Sequence, residues 1–217
     1  MTDYSQSGEQ KYILKALGYS QREGEMMIGP PSGRLLDIGA WNAKTFSNSR
    51  ALIELGWSAV LFEPSPGPLR GLVEEYGSNP RVEVVGLPVV GLPVSIAGGF
   101  MELRVTDDAL SADAGNVEHL KKWEGYGFYG TMTTRAVSLL DIYRAWDGNT
   151  FDFVSIDTEG TSVDLFAQMI SDYWRPRCVC VEHEERWEEL RKAAEAGNYR
   201  LVSPPEGSIN AILEHVK

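Results

Sequence analysis

Short apolar runs alternate with amphipathic stretches along most of this chain, in the order that builds a parallel sheet covered by helices. Ser7 and Gln10 stand in the S-x-x-Q relation of a capping box ahead of Ile13, Leu14 and Leu17, and Gly18 follows, which predicts a helix over 7–18. RLLDIGA reads as a first buried strand ending at Asp37 and Gly39. NAKTFSNSRALIELG, with Phe46 and Ile53 seven apart and Gly56 at its end, reads as the helix that follows. WSAVLFEPS is a second strand closed by Glu63 and two prolines, and Leu69, Leu72, Val73 and Tyr76 mark the next helix at i, i+3, i+4 and i+7. VEVVGLPVV predicts a third strand. VSIAGGFMELRV, alternating on both sides of Gly98-Gly99, predicts a hairpin.

Periodicity then lapses. Thr106 to Gly130 is polar, aromatic and punctuated by glycine, which predicts a surface excursion, with 107–130 as a flap on the acceptor side of a site. Ser138 and Asp141 cap a helix around LLDIYRAW, FDFVSIDTEG is a fourth core strand, and Leu165, Phe166, Met169 and Ile170 carry a helix after it. CVCVEHE is a fifth core strand, followed by a charged helix from Glu185 to Ala196 packed on Trp187 and Leu190. Arg200–Ser203 and Asn210–Val216 predict an antiparallel pair at the sheet edge. The expectation is one doubly wound α/β domain over 1–217.

Composition narrows the function. The net charge is −11 and no basic run is longer than Lys121-Lys122, so the footprint that phosphate-backbone binding requires is missing and nucleic acid is not expected as a partner. The polar start and the lack of an apolar run of ~20 residues predict neither a signal peptide nor a membrane span. Cys178 and Cys180, two apart in a strand, point to one face as reduced core thiols, and a cytoplasmic location is expected.

The candidate chemistry lies at the carboxyl ends of the strands, where open parallel sheets bind ligands. Asp37-Ile38-Gly39, Glu63-Pro64, Asp157-Thr158-Glu159-Gly160 and Glu182-His183-Glu184 put acidic residues on one rim, and such carboxylates raise one another's pKa unless donors or cations satisfy them. Glu63 follows Gly39 by 24 residues, near the ~20-residue spacing at which an acid after the second strand reaches ribose hydroxyls. The turn Gly39-Ala40-Trp41-Asn42-Ala43 is not G-x-G-x-x-G, which disfavours a pyrophosphate. A nucleoside carrying a positive sulfonium, S-adenosylmethionine, fits an acidic rim better than a nicotinamide dinucleotide does. His183, at a core-strand end, is a candidate general base, with Asp157 as its competitor and Glu182 to orient it. Asp157 and Glu182 could alternatively hold Mg²⁺, a variant not favoured because nothing else here implies a catechol-type acceptor. Trp123, Tyr126, Phe128 and Tyr129 read as either a satellite core or a stacking surface for a sugar or polyketide.

YSQSGEQKYIL, LLDIGAWNAKTFSNSRALIELGW, LFEPSP, DFVSIDTEG and VCVEHE, in this order, resemble the FkbM-like family of S-adenosylmethionine-dependent methyltransferases over roughly residues 4 to 184. The resemblance implies a class I methyltransferase, Rossmann-like fold, with a mostly parallel seven-stranded sheet and one antiparallel strand. It also implies O-methylation of a small molecule, glycan or natural product. It places Asp37, Gly39, Ala40, Trp41 and Ser47 in the cofactor turn, Glu63 and Pro64 at the ribose, Leu87 and Pro88 at the adenine, Asp157 beside the methyl donor, and Ser5 and Gln6 in a cofactor-side lid. Trp41 and Ala43 depart from the family in standing where glycine is usual, which keeps open a catalytically silent binding module.

Overall fold

The computed structural model describes residues 1–20, 27–91, 99–106, 112–125, 127–172, 174–202 and 207–216. In chain order the elements are α1 (Glu9–Ala16), β1 (Arg34–Ile38), α2 (Arg50–Glu54), β2 (Ser58–Phe62), α3 (Pro66–Tyr76), β3 (Val82–Val85), β4 (Val89–Val90), β5 (Phe100–Val105), β6 (Ala112–Asp113), α4 (Val117–Lys122), β7 (Gly130–Arg135), β8 (Val137–Ser138), α5 (Leu139–Trp146), β9 (Phe153–Ile156), α6 (Ser162–Ser171), β10 (Cys178–Glu182), α7 (Trp187–Ala196), β11 (Tyr199–Leu201) and β12 (Asn210–His215).

Seven strands form the main sheet in the order β3-β2-β1-β9-β10-β12-β11. β12 is antiparallel to both β10 and β11, and the other pairings are parallel. Period-2 alternation gives the sheet two apolar faces. Leu36, Ile38, Phe62, Val154, Ile156, Val179 and Val181 face α5, α6 and α7 through Ile142, Phe166, Met169 and Leu190. Leu35, Leu61, Phe153, Cys178 and Cys180 face α1, α2 and α3 through Ile13, Leu17, Leu52 and Tyr76. The chain winds outward from β1 to β3 and returns to β9 beside β1, so the topological switch point lies between β1 and β9. Two small sheets lie outside the main one: β4 with β8, and β6-β5-β7. Among the described residues no helix is long and apolar enough to cross a membrane.

Several sequence expectations are corrected. Phe46 does not start a helix: α2 begins only at Arg50, because Asn42 Oδ1 takes the Lys44 and Thr45 amides and Ser47 Oγ takes the Arg50 amide, offering the backbone a turn instead. The capping box at Ser7 does not form. Gly8, at φ 82°, is the N-cap, and Gln10 is drawn away to the Tyr4 amide and the Thr2 carbonyl. VEVVGLPVV splits, since Gly86 and Pro88 interrupt the ladder, and its second half joins β8. The first arm of the expected hairpin, with Gly98, lies outside the described residues; its second arm, β5, pairs with β6 and β7. Trp187 is 40% exposed, so α7 packs through Leu190 and Ala194. The capping box at Ser138 and Asp141 is present as expected.

Candidate active site

The carboxyl ends of β1 and β9 meet in close backbone contact. Gly39 has φ 86°, and a Cβ there would lie 1.7 Å from the Asp157 carbonyl oxygen, so only glycine lets the two strand ends approach. Its amide and that of Ala40 both donate to the Phe62 carbonyl, at 2.9 and 3.0 Å, which pins the turn to the end of β2.

Two acids from the first half of the sheet are buried around this turn. Asp37, paired with Ser155 across β1 and β9, receives hydrogen bonds from the Ser49 and Ser155 hydroxyls. Complete burial nonetheless pushes its carboxyl up to about 6. Glu63 is 5% exposed: its Oε2 accepts the Trp41 amide at 2.9 Å and its Oε1 the Ser65 amide at 2.7 Å. Burial raises its pKa, those bonds oppose the rise, and the nearby charge of Asp37 adds to it. The Ser65 hydroxyl also donates to this carboxylate, so of its four lone-pair sites three are engaged and one remains. Trp41, at φ 39°, stacks on the exposed Phe46 with ring centroids 5.6 Å apart, an aromatic wall beside the turn. Pro64 follows Glu63 and leads into α3, whose first residue is Pro66. Leu87 and Pro88 lie between β3 and β4, with the Pro88 carbonyl bonded to the Val137 amide. Ser47 is buried and its amide donates to the Tyr4 carbonyl, so the N-terminal strap crosses the turn and carries the exposed Gln6 past it.

The second half of the sheet supplies the other acids. The Asp157 and Glu182 carboxyls interact, and burial first, then neighbouring negative charge, raises the pKa of both. Glu184 takes the Ser162 amide at 2.8 Å and has its second oxygen 3.6 Å from Arg186. Glu182 Oε2, Glu184 Oε2 and Asn48 Oδ1 are buried without a hydrogen-bond partner. Glu184 Oε2 faces the Arg186 guanidinium, and buried His119 Nε2 and Asn210 Oδ1 are likewise without a hydrogen-bond partner. Among the described residues no group of three or more His, Cys, Asp and Glu side chains is arranged to hold a metal ion.

His183 sits at the end of β10, but its ring is committed. Nδ1 accepts the Glu185 amide, Nε2 lies 3.1 Å from the Ser208 carbonyl, and the ring stacks on Trp187 at 4.1 Å. The Glu185 bond fixes Nδ1 as acceptor, and Nε2 then carries the hydrogen toward Ser208, which leaves no free lone pair. Of the aromatic cluster, Tyr129 is 58% exposed, Phe128 lies under the Arg104 guanidinium, and Trp123 is half-buried near His119; Tyr126 lies outside the described residues. These three do not form a satellite core. Sequence reasoning missed two residues. Glu9 is fully buried and ties α1 to Ser208 and Asn210 at the same rim. His119, from the aperiodic excursion, reaches Glu159 at 3.2 Å. Neither has a local signal, since both depend on partners far away in the chain.

Known proteins were compared with this site and fold. No curated protein matches. Among solved structures, the METTL16 MTase domain matches at 12% identity and a TM-score of 0.50, over 95% of this chain and 65% of that one. A Methanococcus jannaschii fibrillarin pre-rRNA processing protein matches at 12% identity and 0.40, over 91% and 69%. Methyltransferase FkbM from Methylobacillus flagellatus KT matches at 14% and 0.46, over 85% and 44%. The chain thus spans less than two thirds of two of these proteins. At 12% identity the METTL16 MTase domain shares its fold with this chain. The family profile described as methyltransferase FkbM domain matches residues 37–203, from the Asp37 turn past β11, and by that match the chain belongs to the methyltransferase FkbM domain family.

Proposed function

We propose that this protein binds S-adenosylmethionine at the switch point and transfers its methyl group to a hydroxyl of a small molecule or sugar. The observation that carries the reading is Glu63. A carboxylate buried at the end of the second strand and held in place by two backbone amides and the Ser65 hydroxyl stands where the acid that binds ribose hydroxyls stands in nucleoside-binding βαβ units. The other contacts support it. The Gly39-Ala40-Trp41 backbone passes close to the rim, the Trp41–Phe46 stack walls it, and the strap bearing Gln6 crosses beside Ser47. Leu87 and Pro88 stand at the edge where a base would lie.

When bound, S-adenosylmethionine supplies an electrophilic methyl on a positive sulfonium. The carboxyl groups of Asp37, Asp157 and Glu182 gather at that region, and holding donor and acceptor in line accounts for most of the expected acceleration. The proton of the acceptor hydroxyl needs a destination. Asp157, buried against Glu182, is the better placed of the two candidates, because His183 would have to break a backbone hydrogen bond to accept it.

Calorimetry with S-adenosylmethionine on the wild type and Glu63→Ala tests the reading. A measurable affinity in the wild type and at least a tenfold loss in a folded Glu63→Ala variant are expected. Equal affinity in the two proteins would remove Glu63 from the site. Mass detection of S-adenosylmethionine or its demethylated product in the purified protein gives an independent check.

A further inference from the structure

α4 meets the rim through one hydrogen bond and one close approach of an imidazole to a carboxylate that is not in hydrogen-bond geometry. None of its six residues is buried. Its N-cap, Asn116, donates from Nδ2 to the Gly160 carbonyl at 3.3 Å, and His119 Nε2 lies 3.2 Å from Glu159 Oε2, with the two side chains 12% and 15% exposed. The loop after β9 is shaped to receive them. Glu159 and Gly160 adopt left-handed φ of 40° and 93°, and a Cβ at Gly160 would lie 2.7 Å from Asn116 Nδ2 and 2.8 Å from His119 Cγ and Nδ1. Asn116 and His119, three apart, share one side of the helix start. Val117, Leu120 and Lys121 instead line a groove of about 590 Å³ shared with Arg104 and Phe128.

Glu159 is no ordinary surface acid. It stands two residues beyond Asp157, and its charge acts on both Asp157 and Glu182. His119 therefore enters the group of carboxylates that surrounds the methyl-side strand ends. The other histidines do not compete for that place: His183 is held by backbone on both nitrogens, and His215 lies at the far end of β12, opposite Tyr199.

We propose that His119 and Asn116 are positioning residues that dock α4 onto the Glu159–Gly160 corner, so that α4 forms the acceptor-side wall of the site and holds an imidazole beside the methyl-side carboxylates. What the wall encloses rests on the methyltransferase reading above; the docking itself does not. Gly160 is the notch that receives the imidazole, Glu159 the carboxylate beside it, and Asn116 the residue that caps α4 and anchors it in one step, since its Oδ1 also accepts the His119 amide.

Hydrogen exchange read by mass spectrometry over residues 112–125, in the wild type, His119→Ala, Glu159→Gln and the double variant, tests the docking. Each single variant is expected to speed exchange in α4 about fivefold or more. The double variant should be no faster than either, because residues that act through one contact are not additive. His119→Gln, which keeps a side-chain donor for Glu159, should restore much of the protection, a rescue that general loosening of the fold would not give. Calorimetry with S-adenosylhomocysteine on the same proteins should show weaker binding in His119→Ala than in the wild type. Unchanged exchange in His119→Ala, or single effects that add in the double variant, would overturn the proposal. A wild type that fails to bind S-adenosylhomocysteine would refute the proposed function instead, while the exchange data would still decide the docking.

Discussion

Asp37 has its carboxyl inside the protein, against the Ser49 and Ser155 hydroxyls, and its pKa there is about 6 against an ordinary 3.8. Its folded pKa is raised, so its contribution to stability is fully present below pH 3.8 and is lost as the pH climbs through about 6. A shift of this size corresponds to ~3 kcal/mol, from which lost hydrogen-bond quality in any replacement must be subtracted. Asp37→Asn is therefore expected to be more stable than the wild type at pH 7 by ~1–3 kcal/mol, with the gain fading as the pH falls from 6 toward 4. Urea unfolding at pH 4 and pH 7 checks it; an equal difference at both would mean that ionisation of Asp37 is not the cause. The acidity of this position is legible in the sequence from its place at a strand end. Its cost is not, because the burial that raises the pKa comes from Ser49, Ser155 and the helices that close over them. His183 shows the converse. Its type and position suggest a base, and only the Glu185 and Ser208 backbone contacts reveal that its nitrogens are in use.

Capping separates the elements that the sequence specifies from those it does not. At α5, Ser138 and Asp141 bond each other's backbone within four residues, so a local pattern is enough to find it. Ser138→Ala should lower stability by ~1 kcal/mol, within a range of 0.5–2, as read by chemical denaturation. At α1 the same kind of pattern misleads. Glu9 and Gln10 have distant or strap partners that outcompete the cap, among them Ser208 Oγ at 2.8 Å from Glu9. Likewise α2 starts late because Asn42 and Ser47 turn the backbone, and β7 escapes notice because Thr-rich alternation becomes a strand only when β5 lies beside it. The β1 turn gives the sharpest test of an element junction. Gly39→Ala must move a strand end whose carbonyl would stand 1.7 Å from the new Cβ, in addition to adopting a positive φ. A loss of more than ~3 kcal/mol is expected, beyond an ordinary Gly→Ala change. A thermal midpoint within a degree or two of the wild type would show that β1 and β9 do not meet as described.

At the scale of the molecule, strand order controls both stability and the site. β12 is an interior strand between β10 and β11 even though it is last in the chain, so the sheet is complete only when residues 210–215 are in place. A chain ending at Gly207 is expected to leave β10 as an open edge and to lose cooperative unfolding, measurable by calorimetric melting; a two-state transition of undiminished enthalpy would contradict this. The alternation of apolar strands and amphipathic helices, the acids at the strand ends, the glycine of the first turn and the α5 cap were determined by the sequence itself. Each arises from a period or spacing within one segment, where chain connectivity does the placing. Tertiary structure alone decided that β12 enters between β10 and β11, that Asp157 and Glu182 are buried against each other, that Glu9 closes on Ser208 across 199 positions, and that Asn116 reaches Gly160 across 44. Such contacts require loops to close and many distant residues to pack at once, so no local pattern carries them.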